Sequence, residues 1–157
     1  MSTPNRCWLV KTEPEAYSIQ DLAAEPKKTT CWDGVRNYQA RNMMRDQMQT
    51  GDLVFFYHSN AKPTGIAGIA KVVKNGYPDH TAWDPNSEHP DPKSTPDDPR
   101  WFMVDVQFKQ KFKNITTLKE LKNYACLQDM LLLKKGNRLS VMPVEPAHWD
   151  FIISISK

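Results

Sequence analysis

The chain has 157 residues, of which 39% are hydrophobic and 25% are charged, and its formal net charge is +3. This composition is that of an ordinary globular domain, and it excludes a collagen-like or membrane-spanning chain, since no run approaches the roughly 20 apolar residues of a membrane helix. The length suits a single domain over residues 1–157, and the mild positive charge permits nucleic acid as a partner without arguing for it.

The first third of the chain predicts a strand and a short helix. Residues 7–11 (CWLVK) form an apolar strand that ends before Pro14, because proline has no N–H to give to a strand ladder. Ser18 and Asp21 have the spacing of a capping box, which opens a short helix that Pro26 stops.

A longer helix is predicted over residues 35–49, ended near Gly51. Its apolar positions fall close to helical spacing and are Val35, Tyr38, Met43, Met44 and Met48. A second face carries polar side chains four residues apart, at Asn37, Arg41 and Arg45.

The middle of the chain predicts strands on either side of a long loop. Residues 52–58 (DLVFFYH) and 66–74 (IAGIAKVVK) are typical of two strands joined by a turn. Residues 77–100 hold six of the twelve prolines, so we expect a loop, and a loop this long is usually functional or disordered. Residues 101–112 alternate with the period of a strand.

The last third predicts helices around one strand. Thr117 and Glu120 form a capping box, residues 130–133 suit a helical turn, residues 138–144 suit a strand, and Pro146 suits the first turn of a last helix. About five strands and several short helices indicate an α+β fold, a small, bent, mainly antiparallel β-barrel with short helices around it.

The three cysteines, Cys7, Cys31 and Cys126, have no CxxC or regular spacing. An odd number of unpatterned cysteines is typical of reduced thiols, and the polar start MSTPNR lacks a signal-peptide core. We therefore expect an intracellular, cytoplasmic protein, or a nuclear one in a eukaryote.

Motifs of catalysis and cofactor binding are weak or missing. There is no GxGxxG, P-loop, GxSxG or HExxH, and the histidines and cysteines lack zinc spacing. Cys31 could act as a nucleophile with His58 as its base. A small buried hydrophobic residue is the more typical role of such a cysteine.

One acidic pattern formally fits a metal nuclease signature, namely Pro78-Asp79 with Asp91-Pro92-Lys93. A proline inside the second part does not suit a paired central strand. We expect no enzyme, no cofactor and no metal, and keep a metal-dependent nuclease, another nucleic-acid-modifying enzyme, or a nucleobase or nucleoside sensor as alternatives.

Residues 29–44 (TTCWDGVRNYQARNMM) are rich in hydrogen-bonding and aromatic side chains. Trp32 lies in a loop between polar residues, and tryptophan there can stack on a flat ligand. Asn and Gln can read base edges, and Arg can bind phosphate. The residue pattern alone fits a base-binding cleft and a solvated face equally well.

Eight segments resemble the EVE domain family, in particular its thymocyte nuclear protein branch and bacterial relatives. They are KTEP (11–14), CWDGVRNYQARN (31–42), GDLVFFYHSN (51–60), GIAGIAKVV (65–73), YPDHTAWDP (77–85), DPKS (91–94), PRWFMVDV (99–106) and RLSVMPV (138–144). The resemblance implies a PUA-like fold, related to the YTH readers of methylated adenine. It implies a non-enzymatic reader of a modified base in DNA or RNA, with methylated or oxidised cytosine as the base and an aromatic pocket to receive it.

The resemblance also implies site residues. Lys11, Thr12 and Glu13 match the strand-end Lys-Ser-Asn of YTH domains, and Trp32 matches a tryptophan of their pocket. Glu13 in place of asparagine favours a base with an amino donor, such as cytosine. We expect Trp32 to stack and Glu13 to recognise the base edge. The other ligand-binding candidates are Asp33, Gly34, Val35, Arg36, Asn37, Tyr38, Arg41, Tyr57, His58, Ser59, Trp101, Arg138 and Ser140. DNA and RNA are both open as partners, as is the oligomeric state.

Overall fold

Six strands form one sheet in the computed structural model, which describes residues 6–156. They are β1 (Cys7–Thr12), β2 (Thr29–Cys31), β3 (Leu53–His58), β4 (Gly65–Pro78), β5 (Phe102–Thr117) and β6 (Val141–Val144). Their order is β2–β5–β4–β3–β1–β6, and the β1–β3 pair alone is parallel. The predicted α+β class is confirmed. The end strands β2 and β6 are not paired with each other in the described residues, so the structure shows a mixed sheet without barrel closure.

Four α-helices lie in the described part of the chain: α1 (Ile19–Ala24), α2 (Tyr38–Asp46), α3 (Leu118–Leu121) and α4 (Pro146–Ile155). Four 3₁₀ turns accompany them at Pro26–Lys28, His80–Trp83, Ala125–Leu127 and Leu131–Leu133. The predicted capping boxes hold at α1 and in part at α3, since Ser18 accepts from the amide of Asp21 and Thr117 accepts from the amide of Glu120. None of these helices is long and apolar enough to cross a membrane.

Several predicted boundaries are wrong. The long helix begins at Tyr38 instead of Val35, because Asn37 is extended and its side chain caps the helix by accepting from the amide of Ala40. The strand predicted from residue 138 begins at Val141. The strand predicted to end at residue 112 continues to Thr117, since it stays paired with β4.

Strand β2 and the regular secondary structure at the start of the long loop were not predicted. Strand β2 is only three residues long and polar, and its pairing with β5 depends on residues far away in the sequence. Strand β4 extends to Pro78, and a 3₁₀ turn follows at His80–Trp83, so the start of the predicted loop is regular structure.

The core is built around the central strands and α4. Trp8 is fully buried and donates from its indole Nε1 to Asp52 at 2.8 Å. Trp149 stacks on Phe55 with 3.8 Å between ring centroids. Both tryptophans belong to the hydrophobic core. Strand β6 runs antiparallel to β1, so its start lies beside the end of β1, and this junction borders the site described next.

Candidate functional site

A cleft of about 500 Å³ opens where β1 and β2 end and β6 begins. Four separate parts of the chain meet there. The sheet brings the end of β1 beside the start of β6, where the Lys11 amide donates to the Ser140 carbonyl at 2.8 Å. The lining residues are Lys11, Thr12, Ala16, Tyr17, Ser140 and the segments 30–36 and 87–89.

Trp32 is held rigidly at the cleft. Its ring packs edge-on against Phe56 and Tyr17, with 5.4 and 6.2 Å between centroids, and its backbone N–H donates to the Val104 carbonyl at 2.7 Å. Only 9% of the residue is exposed. Trp32 therefore lies in a loop after β2, as the sequence predicts, and presents a limited part of a fixed ring to the cleft.

A buried carboxylate joins the two walls of the cleft. Asp79 has no exposed side-chain surface, and its Oδ2 accepts from the Gly34 amide at 2.9 Å and from Arg36 Nη1 at 3.0 Å. Its Oδ1 accepts from the amide and hydroxyl of Thr81. Burial alone would raise the pKa of Asp79, but hydrogen bonds from Thr81, Gly34 and Arg36 outweigh it and hold the pKa below its ordinary value.

His89 closes the opposite side of the cleft against the turn at Gly34. Arg36 Nη2 donates to the His89 carbonyl at 2.7 Å, and His89 Nε2 lies 3.5 Å from Asp33 Oδ2. Gly34 has a φ of +76°, and a Cβ there would lie 2.8 Å from the His89 ring. The turn therefore requires glycine for its conformation and for its contact with His89.

Four side chains form a stacked column beside the cleft. The Arg36 guanidinium lies 5.5 Å from the Trp101 ring, Trp101 stacks on Tyr38 at 4.8 Å, and the Arg41 guanidinium lies 4.9 Å from the Tyr38 ring. Trp101 also donates from Nε1 to Asp91 Oδ2 at 2.6 Å. Trp101 is therefore a support behind Arg36 and lies outside the cleft lining.

The structure brings together eight of the predicted site residues. Lys11, Thr12, Trp32, Asp33, Gly34, Val35, Arg36 and Ser140 line the cleft. It separates the other nine from that lining, namely Glu13, Asn37, Tyr38, Arg41, Tyr57, His58, Ser59, Trp101 and Arg138. All seventeen stay predicted ligand-binding residues, of which the first eight share this cleft.

Four of these nine residues lie on or next to β1 and β3, outside the cleft lining. Glu13 is exposed, and its Oε1 accepts from Asn60 Nδ2 at 2.8 Å. His58 is buried and accepts the Ile19 amide hydrogen at the start of α1, while Ser59 follows it in the turn after β3 and donates its backbone N–H to Thr12. Tyr57 is 3% exposed within β3. Alternation along β3, and partners brought in by α1, account for these positions.

Sequence reasoning missed six lining residues: Ala16, Tyr17, Thr30, Ser87, Glu88 and His89; Cys31 was considered only as a nucleophile. The proline-rich loop at 77–100 was the available signal, because long loops of this kind are often functional. Burial raises the pKa of Tyr17 to about 12, and its hydroxyl donates to Glu25 Oε2 at 3.0 Å, so it stays protonated at neutral pH.

Ligand groups for a metal ion come together elsewhere. Among residues 6–156, one group of three has donor atoms within 4.8 Å of one another: Asp129, Glu145 and His148. Asp79 and Asp91, the acids of the nuclease-like pattern, belong to no such group, and both carboxylates accept hydrogen bonds from protein donors.

Comparison with known proteins gives a consistent family. The EVE domain model matches residues 6–155. Thymocyte nuclear protein 1 of Homo sapiens is 47% identical over 167 residues, which cover 96% of this chain and 73% of that protein. A hypothetical protein from Leishmania major is 48% identical with a TM-score of 0.91, covering 97% of this chain and 94% of its own.

The crystal structure of human THYN1 protein in complex with 5-methylcytosine containing DNA is also similar. Its TM-score is 0.90 at 46% identity, and the match covers 96% of this chain and 97% of that one. With a family model that spans nearly all described residues and relatives close to half identical, the chain belongs to the EVE domain family.

Proposed function

We propose that this chain binds DNA that carries a modified cytosine, and that the cleft receives the modified base after it has flipped out of the duplex. The observation that carries the proposal is the cleft itself, which combines a fixed tryptophan with hydrogen-bond donors and acceptors. The relative in complex with 5-methylcytosine containing DNA supports DNA and this base as the partner.

The size and lining of the cleft suit a flat polar ligand. Its volume of about 500 Å³ lies within the roughly 300–1,000 Å³ of small-molecule sites. Tyr17, Trp32 and Val35 supply apolar surface for the ring and for a methyl group. Flipping costs a few kcal/mol, and each stacked base returns about 1–3 kcal/mol, so stacking and edge hydrogen bonds together offset that cost.

Asp33 takes the role of the edge acceptor. The cytosine amino group is a donor, so its partner must be an acceptor such as a carboxylate. Asp33 lines the cleft, whereas the Glu13 carboxylate lies outside the lining and accepts from Asn60. The same chemistry that first pointed to Glu13 therefore points to Asp33.

The proposal is for a reader without catalytic activity. Burial raises the pKa of the Cys31 thiol, and the negative charge of nearby Asp33 raises it further. A neutral thiol is a poor nucleophile. Free cysteines and a DNA partner both support an intracellular location.

Fluorescence polarisation with matched duplexes tests the proposal. We expect tighter binding to a duplex with one 5-methylcytosine than to its unmodified twin. Asp33→Ala should bring the two affinities together, because alanine offers the cytosine amino group no acceptor, and a base that is no longer held in the cleft cannot have its methyl group sensed there. Glu13→Ala, the matched control, should leave the ratio unchanged. Trp32→Phe should weaken binding to both duplexes, and it is preferred to alanine because Trp32 is part of the core.

Three results would contradict this account. Equal affinity of the wild-type protein for both duplexes would remove the modified base from the proposal. Loss of discrimination in Glu13→Ala but not in Asp33→Ala would return the edge recognition to Glu13. Turnover of the modified strand in the presence of magnesium or manganese would show an enzyme instead of a reader.

A further inference from the structure

The cleft has no surplus of positive charge to attract a DNA backbone. Its lining includes two cations, Lys11 and Arg36, and two carboxylates, Asp33 and Glu88. Arg36 is also paired with the buried Asp79. Backbone affinity for a charged duplex must therefore come from a neighbouring surface.

Two arginines of α2 are already engaged. Arg41 donates from Nη1 to the Arg100 carbonyl at 2.6 Å and from Nε to Asn42. Arg45 is paired with Asp46 at 2.8 Å. These side chains have geometric roles within the protein, whereas the loop before β6 carries further cations beside the cleft.

That loop borders a second concavity, which we name the basic depression. It is lined by Asn37, Gln39, Leu131 and residues 134–139. The lining holds three cations, Lys134, Lys135 and Arg138, and no carboxylate. All three are exposed, and none forms an ion pair with another described residue.

We propose that the basic depression binds the DNA phosphates next to the flipped base. The inference rests on the proposed function and adds to it the surface that holds the duplex. The cleft reads the base, while the depression supplies the affinity that does not depend on sequence or modification.

The two concavities adjoin along two stretches of chain. Arg36 lines the cleft and the next residue, Asn37, lines the depression. Likewise, Ser140 lines the cleft and the preceding Leu139 lines the depression. Consecutive Cα atoms are about 3.8 Å apart, and successive phosphates of one strand rise by about 3.4 Å along the duplex axis. A strand whose base enters the cleft therefore passes phosphates over the depression within one to a few nucleotides.

The loop that carries the cations is fixed by Asn137. Its Nδ2 donates to the Leu131 carbonyl at 2.9 Å, and its Oδ1 accepts from the Leu139 amide at 3.0 Å. Its own amide donates to the Lys134 carbonyl, closing a turn in which Gly136 has a φ of +80°. The three cations are thus presented from an ordered turn and lose less entropy on binding than they would from a free chain.

The salt dependence of binding is the experiment. The triple variant Lys134→Gln, Lys135→Gln, Arg138→Gln is compared with wild type on the 5-methylcytosine duplex and its unmodified twin between about 50 and 200 mM salt. The slope of log K against log salt should fall by about 0.9 for each lost phosphate contact, so by up to about 2.7 in the triple variant. The ratio of the two affinities should stay at its wild-type value.

A matched control removes the same charge elsewhere. Lys113, Lys119 and Lys122 are exposed and line neither concavity, so Lys113→Gln, Lys119→Gln, Lys122→Gln should keep the wild-type slope. An unchanged slope in the first variant, or an equal fall in both, would overturn the inference. If the wild type shows no preference for the modified base, the proposed function is overturned instead, since the slope of log K against log salt does not depend on that preference.

Discussion

Replacing Asp79 by asparagine tests how the cleft is held together. The carboxylate uses Oδ1 for Thr81 and Oδ2 for Gly34 and Arg36, so it joins segment 32–36 to the loop after β4. The asparagine side chain has the same shape as the carboxylate but no charge. Its single carbonyl oxygen can serve only one of these two sides, and its NH₂ group would face the donors of the other.

The expected loss of stability follows from the bonds that are broken. Hydrogen bonds that involve a charged group contribute about 1.5–3 kcal/mol each, and Asp79→Asn loses two of them if the bonds to Thr81 remain. The Arg36 side chain is 22% exposed and regains part of its hydration. We therefore expect the free energy of unfolding to fall by about 3 kcal/mol, at the lower end of the range for breaking a buried ion pair.

Urea unfolding measures this change directly. The midpoint concentration should fall with an unchanged slope m, because the surface exposed on unfolding is the same. Asp97→Asn is the control, since Asp97 is exposed in the same loop. A decrease below about 0.5 kcal/mol for Asp79→Asn, the scale of ordinary surface substitutions, would refute the idea that this carboxylate holds the walls together.

Other consequences concern the same region. Because the pKa of Asp79 is lowered in the folded protein, its stabilising contribution is present above the unfolded pKa of about 3.9 and is lost as pH falls through the folded value; acid titration of unfolding should show a shallower fall in Asp79→Asn than in wild type. Gly34→Ala should destabilise by about 1–3 kcal/mol in urea unfolding, since a Cβ at a φ of +76° is strained and meets the His89 ring; a neutral effect would show that the turn relaxes. Trp101→Phe should lower the urea midpoint through loss of the bond to Asp91, and a decrease no greater than that of Asp97→Asn would deny that bond a role.

Elements with strong local signals were predictable from the sequence. The strands at residues 7–11 and 52–58 are continuous apolar runs, and the capping motif at Ser18 fixes the start of α1. Strand β2 was not predictable, because TTC has no apolar pattern and forms only where β5 offers it a partner. The start of α2 was placed too early, because Val35 has the helical spacing but Asn37 acts as the cap.

The candidate site was only half visible in the sequence. The segment 32–36 could be recognised because so many polar and aromatic side chains are unusual in a local stretch. Ser87, Glu88 and His89 could not be placed, since a hydrogen bond from Arg36 and the buried Asp79 bring that loop to the cleft across more than 40 residues of sequence. At the end of β3, His58 accepts the amide hydrogen of Ile19 in α1, a contact that the local sequence does not indicate.

The most direct test of the central claim is the affinity of the wild-type protein and Asp33→Ala for two duplexes that differ by one methyl group on a single cytosine. The account predicts tighter binding of the methylated duplex by the wild type and equal binding of both duplexes by the variant, with the variant still folded. Equal binding by the wild type, or an undiminished preference in Asp33→Ala, would contradict it.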